Sequence, residues 1–242
     1  MRLNRYMSMA GVSSRRKGET LIRDGRISVN GVTVTDPAFS VDADADTVTF
    51  DGRPLTSGSE AARRYIILNK PTGIIVSRGD THGRATVFDL LGKGMEGIFP
   101  AGRLDADTSG VLLLTDDGDL AYRLTHPSFG VEKVYRVEVS GKVTDEDVGA
   151  FAGGIELDDG PAAPARMTII DSGGDVSIVT VIMHQGRKRQ VRRMLEKIGH
   201  PVRILERISF GGITAENLPP GAYRMLTPEE VRRLKETRKN KK

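Results

Sequence analysis

Gly102-Arg-Leu-Asp-Ala-Asp-Thr-Ser-Gly-Val-Leu-Leu-Leu-Thr-Asp-Asp-Gly-Asp-Leu120 is the stretch on which the reading of this chain turns. A loop holding Arg103, Asp105 and Asp107 passes through Ser109-Gly110 into the apolar run Val111 to Leu114, which reads as a strand. Two aspartates one residue apart project in different directions on an extended backbone, so they need not act as a pair. Asp107-Thr108-Ser109-Gly110 has turn chemistry, in which an Asp side chain bonds backbone N–H groups just ahead of it. That makes Asp107 the structural candidate and leaves Asp105 for a cleft, although a loop aspartate by itself is as suited to solvation or capping as to chemistry.

Outward from this stretch, strands are expected at Tyr65 to Leu68, Val111 to Thr115, Lys133 to Val139, Ala165 to Ile170, Ser177 to Met183 and Val202 to Phe210. Helices are expected at Asp119 to Leu124, Lys188 to Ile198 and Pro228 to Lys239. Many strands at uneven spacing with few helices favour an α+β fold over a wound α/β sheet. Toward the N-terminus, Leu3, Tyr6, Met7 and Ala10 share one helical face, stopped by Gly11. A second helix, capped by Ser13 or Ser14, turns Leu21 and Ile22 inward and Arg15, Arg16, Lys17 and Arg23 outward. Arg26 to Val34 reads as a hairpin about Asn30-Gly31, with Ile27, Val29, Val32 and Val34 alternating with polar residues. The Gly-, Ser- and Ala-rich segment from 55 to 64 has linker composition, dividing the chain into residues 1–60 and 61–242.

The chain has 242 residues and no Cys, so disulfides, thiol nucleophiles and Cys-based zinc sites are excluded. Four His without a close helical pair argue against a metal centre. No phosphate-binding loop, nucleophile elbow or dinucleotide fingerprint is present, so no cofactor is expected. No apolar run approaches the roughly 20 residues of a membrane span, and Met1 to Ser8 lacks a secretory core, so the chain reads as cytoplasmic with no membrane partner. The net charge is only +4, yet the cations cluster at Arg15 to Lys17, at Arg187 to Arg193 and in the tail from Arg232, which favours a polyanionic partner. The tail serves either phosphate contact or plain solvation.

Two more constellations carry candidate chemistry. In 184–200, Val191, Met194, Leu195 and Ile198 form one buried helical stripe, ringed by Arg187, Lys188, Arg189, Arg192 and Arg193. Phosphate binding and solvated charge both explain most of that ring. Arg192, next to the stripe, needs an anionic partner because a half-buried guanidinium is costly unpaired, and an aspartate in the same cleft would serve. In Glu132 to Val139, an alternating strand, Tyr135 either packs at the core rim or stacks on a base.

Residues 2 to 50, with Arg2-Leu-Asn-Arg-Tyr-Met-Ser-Met-Ala-Gly-Val-Ser-Ser-Arg-Arg-Lys and the hairpin after it, resemble the small RNA-binding module first known from the fourth small-subunit ribosomal protein. The resemblance implies an RNA-facing surface at Arg5, Arg15, Arg16, Lys17 and Arg26. The blocks Tyr65 to Gly73, Gly102 to Gly118, Lys133-Val-Tyr135, Gly186 to Met194 and Leu205 to Ile213 are, in that order, similar to the ribosomal RNA pseudouridine synthases, in their A type for small-subunit RNA and B type for large-subunit RNA. That likeness implies a mixed, mainly antiparallel sheet flanked by helices, and isomerisation of uridine to pseudouridine without cofactor or metal. It carries Asp105 over as the essential carboxylate, Tyr135 as the ring stacked on uracil, Arg192 as the guanidinium beside Asp105, and Arg103 as a contact to the flipped-out RNA. Asn69-Lys70-Pro71 and the 205–213 run are read as structural. The segment 156–165 and the basic tail lean toward the large-subunit type, implying 23S rRNA near the peptidyl transferase centre; separately, a monomer is expected. A 16S target, or a non-catalytic RNA-binding assembly protein, is the alternative.

Overall fold

Residues 1–55 and 63–237 are described by a computed structural model, and their contacts divide the chain into units Met1–Arg63 and Arg64–Lys242. Most of the expected linker and the last residues of the expected basic tail lie outside the described residues.

In the first unit, α1 (Leu3–Met9) buries Leu3, Tyr6 and Met7. Ser14 Oγ accepts a hydrogen bond from the Lys17 backbone N–H (3.3 Å) and starts α2 (Arg15–Arg23), which buries Leu21 and Ile22. An oxygen there satisfies one of the donors every helix start leaves open. β1 (Ile27–Val29) and β2 (Val32–Val34) pair around Asn30-Gly31, whose φ values of 50° and 80° match the left-handed turn that suits strand twist. β3 (Val48–Phe50) and β4 (Arg53–Leu55), which the sequence reading did not assign, complete a sheet in the order β2-β1-β3-β4. Val32 is 67% exposed, because β2 is an edge strand and only its Val34 end reaches the core.

The second unit runs β5 (Tyr65–Lys70), α3 (Val87–Leu91), β6 (Phe99–Pro100), β7 (Ser109–Thr115), α4 (Gly118–Thr125), β8 (Lys133–Ser140), α5 (Asp145–Gly153), β9 (Glu156–Leu157), β10 (Gly160–Pro161), β11 (Arg166–Gly173), β12 (Val176–Met183), α6 (Gln190–Lys197), β13 (Val202–Phe210), β14 (Ile213–Thr214), β15 (Tyr223–Met225) and α7 (Pro228–Glu236). Its sheet is ordered β11-β12-β8-β13-β7-β5-β15, with β14 on β13 and β6 on β7. The fold is α+β, and every pairing in this sheet is antiparallel except β13 with β7.

Both sheet faces are covered near β5 and β7, which explains their nearly unbroken apolar runs. Ile66, Leu68, Leu112 and Leu114 join a core with α3, α5 and α6 residues such as Leu91, Phe151 and Met194. Ile67, Val111 and Leu113 face a second core with Leu124 of α4 and Leu234 of α7. Gly110 is required by the parallel contact. Its φ is +99°, and a Cβ there would lie 2.2 Å from the carbonyl oxygen of Arg207, so any side chain would force β7 and β13 apart.

Candidate active site

Asp105 sits half-buried at the start of a turn just ahead of β7. Leu104, 7% exposed, roots the turn in the core, and Thr108 N–H donates to Asp105 O (3.1 Å) to close it. A second loop holds the same turn from outside: Gly73 N–H donates to Ala106 O (2.8 Å), and Lys70 Nζ donates to Pro71 O (2.9 Å) and Ala106 O (3.4 Å). Lys70 is fully buried. Burial lowers its pKa to about 8, against the pull of the Asp107 and Asp105 carboxylates, so its charge belongs to the field at Asp105.

Asp107 is clamped by two guanidinium groups. Arg189 Nη1 donates to both carboxylate oxygens (3.0 and 2.9 Å). Arg192 Nη2 donates to the Asp107 carbonyl (2.8 Å), and its Nε lies 3.4 Å from Oδ2 as an ion pair without a hydrogen bond. These contacts correct two expectations. Asp107 binds arginine side chains rather than the N–H groups of its own turn, and the direct partner of Arg192 is Asp107, not Asp105. Because Arg192 is only 8% exposed, it takes the nearest carboxylate, and Asp105 acts on it at longer range. Burial lowers the Arg192 pKa; Asp107 and then Asp105 oppose it. The backbone of Arg189, at the N-cap of α6, is in the left-handed region (φ 52°), a conformation that costs a non-glycine residue about 1 kcal/mol or more and that sets α6 against the turn.

Tyr135 is 9% exposed and packs in the same core as Leu104. Strand register puts it in one row across the sheet: Tyr135 opposes Arg207, Arg207 opposes Gly110, and Gly110 opposes Lys70. The row runs from the strand that carries the phenol to the strand that follows the Asp105 turn. Arg207 lies in the 205–213 run read as structural, and the sequence reading gave it no role at the site. It is 2% exposed, donates from Nε to Val111 O (2.7 Å) and lies 4.7 Å over the Phe210 ring. The available signal was a cation two residues from Leu205, at an inward position of an alternating strand. Lys133, 9% exposed, lies over the same ring at 5.2 Å, its pKa lowered to about 8 by burial and by Arg207.

Arg103 and Lys188 are exposed. Arg187 lies 3.6 Å and Arg193 2.6 Å from Asp159, and Arg187 also donates to Gly160 O and Pro161 O. In the first unit Arg15, Arg16 and Lys17 are exposed, Arg5 is half-buried, and Arg26 pairs with Asp51 through Nε (3.0 Å) while stacking on Phe50. Among the described residues, no three His, Asp or Glu side chains gather in a metal-binding group, and no helix is long and apolar enough to cross a membrane.

A sequence model described as RNA pseudouridylate synthase matches residues 64–197, and an S4 domain model matches 1–47. The chain is 41% identical over 235 residues to an uncharacterized RNA pseudouridine synthase of Aquifex aeolicus, covering 97% of this chain and 93% of that one. It is 39% identical over 236 residues to the ribosomal large subunit pseudouridine synthase B of Bacillus subtilis, covering 97% and 95%. Among solved structures, a crystal structure of a pseudouridylate synthase aligns with a TM-score of 0.70 at 32% identity, over 97% of this chain and 99% of that one. A half-buried aspartate on a turn pinned by lysine and arginine thus lies inside the matched segment, and the chain belongs to the RNA pseudouridylate synthase family, with an S4 domain at its N-terminus.

Proposed function

We propose that the protein isomerises a uridine of 23S ribosomal RNA, near the peptidyl transferase centre, to pseudouridine, acting as a cytoplasmic monomer whose S4 domain contributes to RNA binding. The observation that carries this is the Asp105 turn: a half-buried aspartate on a turn whose Ala106 carbonyl is held by Lys70 and Gly73 and whose Asp107 is clamped by Arg189 and Arg192. The large-subunit target is supported by the name of the Bacillus subtilis relative.

In the reaction the bond from uracil N1 to ribose C1′ breaks, the base turns, a bond forms from C5 to C1′, C5 loses its proton and N1 ends protonated. No atom leaves. Asp105 assists cleavage as the ionised carboxylate, by attack on the sugar or by removal of a ribose proton; both routes need its charge. Lys70 and Arg192 are the buried cations whose charges interact with Asp105. Tyr135 lies against the uracil and takes part in moving the C5 proton. The target nucleotide leaves its helix first, at a cost of a few kcal/mol.

The test is incubation with unmodified rRNA transcript, read by carbodiimide-dependent primer-extension stops. Wild type yields pseudouridine, and Asp105→Asn loses at least about 10³-fold in rate while binding RNA as before. Equal binding with no product from either would make the protein a non-catalytic RNA binder. A stop in 16S rather than 23S RNA would reassign the target.

A further inference from the structure

We infer that Arg207 is a positioning residue for the isomerisation, acting through the phenol of Tyr135; the inference rests on the proposed role of Tyr135. A guanidinium at 2% exposure is costly to bury, and among the described residues no carboxylate forms an ion pair with Arg207. Its neighbours make matters worse for stability, since Lys133 shares the Phe210 ring and repels it. An apolar side chain of similar length would suit this place better if packing were its only task.

What the guanidinium does hold is specific. Nε is fixed on Val111 O, one residue beyond Gly110, and the Phe210 face orients its plane. The backbone of Arg207 presses against Gly110 so closely that no Cβ fits there. On its other flank Tyr135 is its register partner, and the phenol oxygen is the group that opposes the effect of burial on the guanidinium. Nη2 has no hydrogen-bond partner. Arg207 therefore ties β8, which carries the phenol, to β7, which follows the Asp105 turn, and keeps a donor to spare beside Tyr135. Lys133 cannot substitute for it, because its ammonium is tied to Val131 O (3.0 Å) and His184 O (3.5 Å).

The test is a double-mutant cycle in the full-length protein with Arg207→Met and Tyr135→Phe, reading single-turnover rate, KM for an rRNA fragment and Tm. Arg207→Met is expected to lower the rate about 30-fold or more, to leave KM within about twofold, and to add less than about twofold in the Tyr135→Phe background. Arg207→Lys keeps the charge without the planar fork, so it is expected to fall between Met and wild type in rate with an unchanged KM, and it carries the same cycle should the Met variant fail to fold. Full activity of Arg207→Met, full activity of Tyr135→Phe, or effects that multiply independently would overturn the inference. Failure of the functional reading looks different: wild type forms no pseudouridine, or Asp105→Asn forms as much as wild type.

Discussion

On α2 the cations Arg15, Arg16 and Lys17 stand exposed and carry no ion pair among the described residues, whereas around the start of α6 Arg187, Arg189, Arg192 and Arg193 each meet Asp107 or Asp159. In sequence the two runs look alike. In the fold one remains open to an external polyanion, while the other has about half its charge offset by two carboxylates and is used to hold loops together. A local excess of charge, rather than a count of arginines, is what releases counterions from a phosphate backbone. If the proposed function holds, RNA affinity is expected to come more from the open α2 cations, and the positioning of loops more from the α6 arginines.

The largest effect that follows is on binding. Replacing Arg15, Arg16 and Lys17 together by Glu should weaken rRNA affinity about 10²-fold or more near 0.1 M salt and make the slope of log K against log salt shallower by about 2 to 3. Glu in the first turn suits the positive end of a helix, so Tm should hold within the range of ordinary surface changes. Filter binding across a salt series, with Tm measured in parallel, decides it; unchanged affinity would remove α2 from the RNA surface.

Next in size is a pH effect confined to the second unit, where Lys70 and Lys133 are buried with pKa values of about 8. Unfolded, each would titrate near 10.5, so between about pH 8 and 10.5 the unfolded chain holds more protons and stability rises with pH. From pH 7 to 9.5 the gain is on the order of 2 kcal/mol per lysine. The Tyr65 phenol, raised by burial, stays neutral over this range. Thermal melts of wild type should show the rise, and Lys70→Met and Lys133→Met should each flatten it; a flat wild-type profile would refute buried charge at both positions.

These buried cations also mark where the sequence stopped being informative. β13 is found at Val202–Phe210, as its alternation predicts, and the Val191, Met194 and Leu195 stripe of α6 is buried because helical period is a local property. α5 was missed. Only Phe151 of it is buried, so it has hardly any apolar stripe, although its Thr144–Asp147 capping box was legible. The site divides the same way. Asp105 stood out through its surrounding block, but the two arginines that clamp Asp107 lie 82 and 85 residues away, and no periodicity announces such pairs. Arg207 was hidden because strand register, not spacing, brings it beside Tyr135.

A smaller effect tests the paired half of the comparison at the site itself. Asp107→Ala leaves Arg189 without its carboxylate and Arg192 with backbone contacts only. Asp107 is about half exposed, its side chain at 48%, so the loss of stability should be about 1 to 2 kcal/mol rather than that of a buried pair. The rate should fall about 20-fold, because the turn that carries Asp105 loses its side-chain tie to Arg189 and keeps only the Arg192 bond to the carbonyl of residue 107, while RNA affinity stays within about threefold. Single-turnover kinetics with a binding isotherm separate the two quantities. If affinity falls and the rate does not, Asp107 serves RNA contact instead of the turn.

The smallest expected change is a gain. Asp159 neutralises Arg193 at 2.6 Å and Arg187 at 3.6 Å from an exposed position, so Asp159→Ala should cost little stability. Arg187 would stay in place through Gly160 O and Pro161 O, with its charge unmasked. If these two arginines lie along the RNA path, affinity at low salt should rise about threefold and the salt slope should steepen by about one. If they serve only to pin the β9–β10 segment to α6, affinity and slope should both stay at wild-type values. The same filter-binding series distinguishes the outcomes, because freeing a cation strengthens binding most where counterions are scarce, whereas a purely structural pairing leaves binding unchanged at every ionic strength.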